Sequence, residues 1–163
     1  MSQDRTEELK AMLAVFDSRH EELLRKGAFW IGRRQMKVAN NALGMFVMKN
    51  YTSKLLAYLI VEKQLFGVKK GRKDDLLEIA LNWLAPSIWA RMPTEIGEAG
   101  DERVVVYRTE CTVGFKGPEC AQLCRASMNM DMEIVRRLGG RLEVTETILE
   151  GAPKCKHILT KGD

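Results

Sequence analysis

The feature that most constrains the fold is a change in hydrophobic period at a glycine pair in the last third of the chain. Apolar residues recur at helical spacing through residues 118–138, and the run ends at Gly139-Gly140. Residues 141–150 are rich in Val, Thr and Ile and alternate with period two, and residues 154–160 follow a Gly-Ala-Pro turn. The sequence therefore predicts a helix that leads into an antiparallel β-hairpin.

The rest of the chain completes an α+β fold. Residues 103–111 alternate as a further strand, and residues 93–101, which contain Gly and Glu, are interpreted as a hinge loop. The first half has the periodicity of four helices, at residues 3–26, 28–49, 52–66 and 74–90. We expect N-terminal helices packed on a C-terminal antiparallel sheet, in strand-helix-hairpin order.

A chain of 163 residues can bury one core of ordinary size without disulfides or metal. We therefore predict that residues 1–163 form a single domain. It comprises a helical half, residues 1–92, and an α+β half, residues 103–160, which carries the cysteines discussed below.

The predicted third helix, residues 52–66, is apolar on most of its sides. A helix with that pattern is usually buried in the core of its own domain, so we expect it to be central. The alternative is burial against another chain, in which case the protein is a non-catalytic partner subunit. A homodimer that covers this helix would be the signature of that role.

All four cysteines and one of the two histidines lie in the last third of the chain. Cys120 and Cys124 are four residues apart on the predicted helix and share a side of it. Cys155 and His157 are two residues apart on the last strand and point to the same face. If the helix covers that face, these side chains converge, with Cys111 at the end of the earlier strand as a fifth member. The sequence thus predicts a pocket or a metal site there.

The residue types of this cluster suit a metal ion. Thiolates and a neutral imidazole are good zinc ligands, and three or four of them at tetrahedral distance form a structural or catalytic site. An iron–sulfur cluster is the less favoured alternative, because the spacing of the cysteines matches no common ferredoxin pattern. The candidate ligands are Cys111, Cys120, Cys124, Cys155 and His157.

Without a metal, a cysteine of this group is a candidate nucleophile. Cys124, or Cys120 in the first helical turn, where the helix dipole favours the thiolate, would attack, and His157 would act as its base. Each cysteine taken alone is more often a small buried hydrophobic residue. Asp131, on the same helix, is interpreted as a solvated carboxylate, with a supporting role behind the cysteines as the alternative.

Composition and charge argue against several partners. Apolar residues make up 45% and charged residues 29% of the chain, as in ordinary globular proteins. A net charge of +4 is too mild to indicate nucleic acid, and the basic run at residues 68–73 is interpreted as a solvated loop. The longest apolar stretch, residues 55–61, is too short to span a bilayer, so no membrane partner is expected. The charged N-terminus lacks the apolar segment of a signal peptide, which favours a cytoplasmic location and reduced cysteines.

Two short motifs follow the cysteine-bearing helix, LGGxLxVxE at residues 138–146 and EGxxxCxHxL at residues 150–159. This pattern resembles the C-terminal half of the 4-vinyl reductase domains and of the L-2-amino-thiazoline-4-carboxylic acid hydrolase-like family. The resemblance covers residues 103–160. It implies helices packed on a twisted antiparallel sheet, with a small molecule, a metal or an acyl chain held between them, and it singles out Cys124 and Cys155 ahead of Cys111 and Cys120.

The chain departs from these families at two positions. His157 stands where the second hairpin strand usually has an aromatic residue, which adds a ligand-type side chain to the face. Leu149 stands near the place where 4-vinyl reductase domains commonly have a further cysteine, so their full ligand set is not reproduced.

Two functional hypotheses follow from the cluster and the resemblance together. The first is a cytosolic domain that binds a small molecule or a metal through its Cys/His face. The alternative is a small hydrolase that opens a C–N or C–S bond of a heterocycle, with Cys124 as nucleophile or with a metal-activated water.

Overall fold

A computed structural model describes residues 4–17, 34, 41–69, 74–89, 92–111 and 115–162. The last part of the predicted first helix and most of the predicted second helix, at residues 18–33 and 35–40, lie outside the described residues, as does the end of the basic run at residues 70–73.

The described part of the first half is predominantly helical, as predicted. The helices are α1 (Thr6–Asp17), α2 (Ala42–Val47), α3 (Ser53–Glu62) and α4 (Leu76–Trp89), and α5 (Ala121–Leu138) follows in the second half. A π-helical segment, Met48–Thr52, joins α2 to α3, so residues 42–62 form one continuous helical stretch. Asn41 caps its start, since its side chain accepts a hydrogen bond from the Gly44 amide at 2.7 Å.

Four described strands form one antiparallel sheet in the order β1-β2-β4-β3. They are β1 (Thr94–Ala99), β2 (Arg103–Arg108), β3 (Gly140–Glu146) and β4 (Cys155–Lys161). The hinge loop predicted at residues 93–101 is therefore wrong, because most of it is β1. An edge strand tolerates polar residues and glycine, since one side of it faces solvent, and that composition concealed the strand in the sequence.

The predicted α+β class is confirmed, with α4 and α5 packed on the sheet and α3 packed on α5. The larger buried cluster, which we call the main core, lies between these layers and includes Trp83, Leu84, Ile134, Val135 and Leu159. A smaller set, the minor core, consists of Met48, Phe115, Leu123, Cys124, Ala126 and Leu149. No helix in the described ranges combines the length and the apolar character that a membrane span requires.

The glycine pair after α5 acts as the sequence predicts. Gly139 has φ of 97°, a left-handed conformation that favours glycine, and its amide donates to the Arg136 carbonyl at 3.2 Å. A Cβ at Gly140 would lie 3.0 Å from Val135 Cγ1 and 3.1 Å from Leu159 Cδ1. The first glycine therefore ends the helix, and the second lets β3 approach the main core closely.

The expectation that the third helix is central holds for only one of its sides. Ala57, Ile60 and Val61 are buried in the main core. Leu55 and Tyr58 are 59% and 40% exposed, so a large part of the apolar surface of α3 remains uncovered.

Candidate functional site

The site is a cavity of about 70 Å³ between α5 and the sheet. Arg108 comes from the end of β2, Cys124 and Asp131 from α5, and Cys155 and His157 from β4. Cys111, three residues beyond β2, also lines it. Its lining combines minor-core residues such as Phe115 and Cys124 with polar and charged ones.

Arg108 and Asp131 line one side of the cavity, and we call the polar wall the hydrogen-bonded group that these two side chains form with Trp83 and Ser87. Asp131 accepts hydrogen bonds at Oδ1 from Trp83 Nε1 at 2.9 Å and from Arg108 Nη2 at 3.4 Å. Arg108 Nη2 also donates to Ser87 Oγ at 2.9 Å. Because Arg108 and Asp131 are 7% and 9% exposed, this is a buried ion pair. It holds the guanidinium in one orientation against the cavity.

Arg108 retains an unused donor within this arrangement. Its Nη1 lies 2.8 Å from Met92 Sδ, a weak acceptor. Its Nε is buried and has no hydrogen-bond partner among the described residues. Buried polar atoms are nearly always paired, so an unpaired nitrogen beside a cavity marks a place where a polar partner fits.

His157 is 1% exposed and sits in β4 between Val106 of β2 and Val144 of β3. Its ring lies 5.9 Å from the Trp83 ring, tilted by 49°. Neither ring nitrogen has a hydrogen-bond partner in the part of the chain that the structure describes. The Val106 backbone lies close enough to raise the pKa of the ring slightly, but its geometry falls short of a hydrogen bond.

Burial lowers the pKa of His157 from 6.5 to about 4, and the Arg108 cation acts in the same direction while Asp131 opposes it. The imidazole is therefore neutral at pH 7. One of its nitrogens then donates and the other accepts, so the ring can bind either kind of group.

The other side of the cavity, the sulfur wall, is formed by Cys111, Cys124 and Cys155. Burial raises the pKa of the Cys124 thiol to about 12, with smaller contributions in the same direction from Cys155 and Cys111. Cys155 Sγ accepts a hydrogen bond from the Ile148 amide at 3.3 Å. Cys124 belongs to the minor core, and Cys111 packs against that core. These thiols mainly fill apolar space.

The structure thus brings Cys111, Cys124, Cys155 and His157 to one cavity. Cys120, which the sequence places with Cys124, packs against the minor core but does not line the cavity, since it precedes α5 in a 3₁₀ turn. In the described ranges, no group of three or more His, Cys, Asp or Glu side chains is arranged to hold a metal ion. The zinc and iron–sulfur sites remain predictions.

Sequence reasoning missed the polar wall. Asp131 is not the solvated carboxylate we expected: it lies on the buried face of α5, four residues from Ser127 and seven from Cys124. Arg108 follows Val104 and Val106 on one face of β2, and all three are buried. In each case the signal was a charged residue at an apolar position of the repeat, which requires a buried partner.

Comparison with protein-family models, with curated proteins and with solved structures gives no significant match to this chain. The resemblance to the 4-vinyl reductase domains and to the thiazoline hydrolase-like family therefore remains a prediction.

Proposed function

We propose that the protein binds a small polar molecule in the cavity between α5 and the sheet, with Arg108 and His157 as the recognition groups. The observation that carries the proposal is that two residues lining the cavity carry three buried nitrogens, Arg108 Nε and both ring nitrogens of His157, that lack partners among the described residues. Leaving a buried polar group unpaired costs about 1–3 kcal/mol, so a ligand that supplies the missing partners gains that free energy on binding.

The volume limits what can enter. An engineered cavity of about 150 Å³ holds benzene, so a space of half that size suits a group of only a few heavy atoms. The cavity measures about 70 Å³ and has partly exposed Cys111 and exposed Glu110 among its lining residues. The ligand is therefore either very small or inserts one end, entering beside Cys111.

The polar wall also limits the chemistry of the ligand. Arg108 can only donate hydrogen bonds, and its charge is partly balanced by Asp131. Neutral His157 offers one donor and one acceptor. A carbonyl, carboxamide or carboxyl group meets these requirements, whereas a cation would be repelled by Arg108.

The hydrolase alternative is less well supported, because of the protonation state of Cys124. A thiol with a pKa of about 12 is almost entirely protonated at neutral pH, and the thiolate is the nucleophilic form. Cys124 is therefore expected to react with iodoacetamide at least about a hundredfold more slowly than an ordinary exposed thiol. Peptide mapping by mass spectrometry after brief alkylation measures this, and Cys124 labelling first would favour the nucleophile over the binding domain.

The binding proposal is tested with acetamide and acetate as probes, added to the full chain with ¹⁵N-labelled histidine. We expect a saturable shift of the His157 ring signals in the millimolar range, as suits ligands of four heavy atoms. Arg108→Met should weaken binding at least about tenfold because the ligand loses its donor. Arg103→Met, on the exposed start of the same strand, is the matched control and should bind normally.

Arg108→Met alone leaves the Asp131 carboxylate buried without its cation, so the variant risks unfolding. The double variant Arg108→Met, Asp131→Asn removes both charges and keeps an acceptor for Trp83 Nε1. A folded double variant that binds either probe as well as the parent, or a parent that responds to neither probe, would overturn the proposal. The metal content of the reduced protein should be measured in the same experiments. Stoichiometric zinc that is lost in Cys124→Ala would support a metal site instead.

A further inference from the structure

The helical stretch 42–62 exposes apolar side chains that nothing in the cavity proposal uses. Six of them are 40–73% exposed, far more than apolar residues of a core helix. We call this set the apolar stripe, and its members are Leu43, Phe46, Val47, Tyr51, Leu55 and Tyr58. Large exposed apolar patches on a protein usually mark an interaction surface.

The π segment keeps the stripe on one side of the helix. Leu43, Val47, Tyr51 and Leu55 are spaced by four, and in a pure α-helix each such step rotates by about 40° around the axis. The π-helical turn at Met48–Thr52 has more residues per turn and so counteracts this drift. The rings of Phe46 and Tyr51, five residues apart, consequently meet edge to face at 6.2 Å. The stripe therefore runs straight along the helix.

The stripe has the composition of an interface centre. Between residues 41 and 61 the only charged residues are Lys49 and Lys54. Two tyrosines and a phenylalanine contribute much of its surface, and aromatic residues are enriched in protein interfaces whereas charged residues are depleted at their centre. The long lysine side chains can lie at the rim with their amines in water.

The exposed area of the stripe is close to the area that a stable protein interface buries on each partner. If each of the six large apolar side chains has a full surface of roughly 200 Å², the observed exposed fractions leave on the order of 700 Å² of stripe surface. A stable interface buries about 800 Å² on each partner, whereas the largest patch on a typical monomer is about 300–600 Å². One stripe covered by a second identical stripe would therefore form an interface of ordinary size.

We propose that two copies of the chain associate through the apolar stripe, with residues 42–62 of one copy packed antiparallel on the same residues of the other. A two-fold axis makes each copy present the same surface. The midpoint between Leu43 and Tyr58 lies near Tyr51, so the axis passes there and Leu43 packs near Tyr58 of the partner subunit. Antiparallel packing also pairs opposite ends of the two helix dipoles. The proposal does not depend on the cavity.

The test is sedimentation velocity of the full chain over a wide concentration range. We expect a reversible dimer of the 18.5 kDa chain. Tyr51→Glu places two carboxylates near the axis and should weaken association at least about a hundredfold. Leu43→Ser should also weaken association. Leu65→Ser is the matched control, because it is the same substitution at an exposed leucine beyond α3, and it should leave association unchanged.

Several outcomes would overturn the proposal. One is a parent chain that stays monomeric at every concentration, and another is a Tyr51→Glu variant that dimerises normally. A monomeric parent that loses thermal stability in Leu43→Ser would instead show that the stripe is covered within its own chain. A monomer that pellets with phosphatidylserine vesicles and is released by Tyr51→Glu would assign the stripe to a lipid surface.

Discussion

The two walls of the cavity differ in how their groups are held. In the polar wall, Trp83, Ser87 and Arg108 are linked to one another or to Asp131 by hydrogen bonds of 2.9–3.4 Å. In the sulfur wall, Cys111 and Cys124 have mainly apolar neighbours of the minor core. The residues most conspicuous in the sequence, the cysteines, therefore shape the cavity, whereas the less conspicuous Arg108 and Asp131 supply oriented polar groups to it.

The largest effect is expected from breaking the polar wall. Asp131→Ala leaves Arg108 as a buried charge without its partner and leaves Trp83 Nε1 without its acceptor. Removing one partner of a buried pair typically costs about 3–5 kcal/mol, and we expect a loss in this range in the free energy of unfolding, measured with urea. The double variant Arg108→Met, Asp131→Asn should recover most of the loss. If Asp131→Ala were as stable as the parent, the hydrogen bonds of the polar wall would stabilise the fold no more than the apolar contacts of the sulfur wall do.

The next effect comes from His157, which lies beside the polar wall. The unfolded chain binds a proton at this residue with a pKa of about 6.5 and the folded chain with a pKa of about 4, so unfolding takes up a proton between these pH values. The part of the unfolding free energy that depends on a neutral His157 is fully present above pH 6.5. It is lost as the pH falls towards 4, and the total loss is about 3 kcal/mol.

The measurement is the free energy of unfolding between pH 7 and pH 4 in the parent and in His157→Leu. Ionisable groups elsewhere contribute similarly to both proteins, so the difference between the two curves isolates the imidazole. We expect the free energy of unfolding of the parent to fall by about 3 kcal/mol relative to that of His157→Leu as the pH falls from 7 to 4. Parallel curves would mean that His157 already has an acceptor that supports its charged form.

A smaller effect is expected in the sulfur wall. Cys124→Ala removes one sulfur atom from the minor core beside an existing cavity, which should cost about 1 kcal/mol of unfolding free energy. Urea unfolding of the variant beside Asp131→Ala provides the comparison. A loss as large as that of Asp131→Ala would contradict the difference between the walls, because it would require the thiol to hold something stronger than apolar contact, such as a metal.

The sequence predicted the parts of this arrangement that depend on local period. The helix before Gly139, the hairpin after it, and the shared face of Cys155 and His157 all follow from spacing along the chain. Edge strand β1 was missed because its polar composition lacks that period. The partnership of Arg108 and Asp131 was missed because it joins a strand to a helix 23 residues away, and no local pattern records such a contact.

The smallest effect is expected at Glu150, which forms an ion pair with Arg125 at the surface, next in the chain to Leu149 of the minor core. Glu150 accepts two hydrogen bonds from Arg125, at 2.7 and 2.6 Å, and one from Thr147 at 2.7 Å. The Arg125 hydrogen bond holds the pKa of this carboxyl below its usual value. The side chains of Arg125 and Glu150 are 53% and 37% exposed, respectively, so solvent and salt screen their attraction.

Glu150→Gln and Asp131→Asn are the same chemical change at an exposed and at a buried ion pair. We expect Glu150→Gln to leave the urea midpoint unchanged within error and to remain without effect as salt is added, whereas Asp131→Asn lowers the midpoint clearly. The reason is that water replaces an exposed charge–charge contact at little cost but does not reach a buried one. If Glu150→Gln proves as damaging as Asp131→Asn, the surface pair orders the turn that precedes β4, and the sulfur wall is then held by directed polar contacts just as the polar wall is.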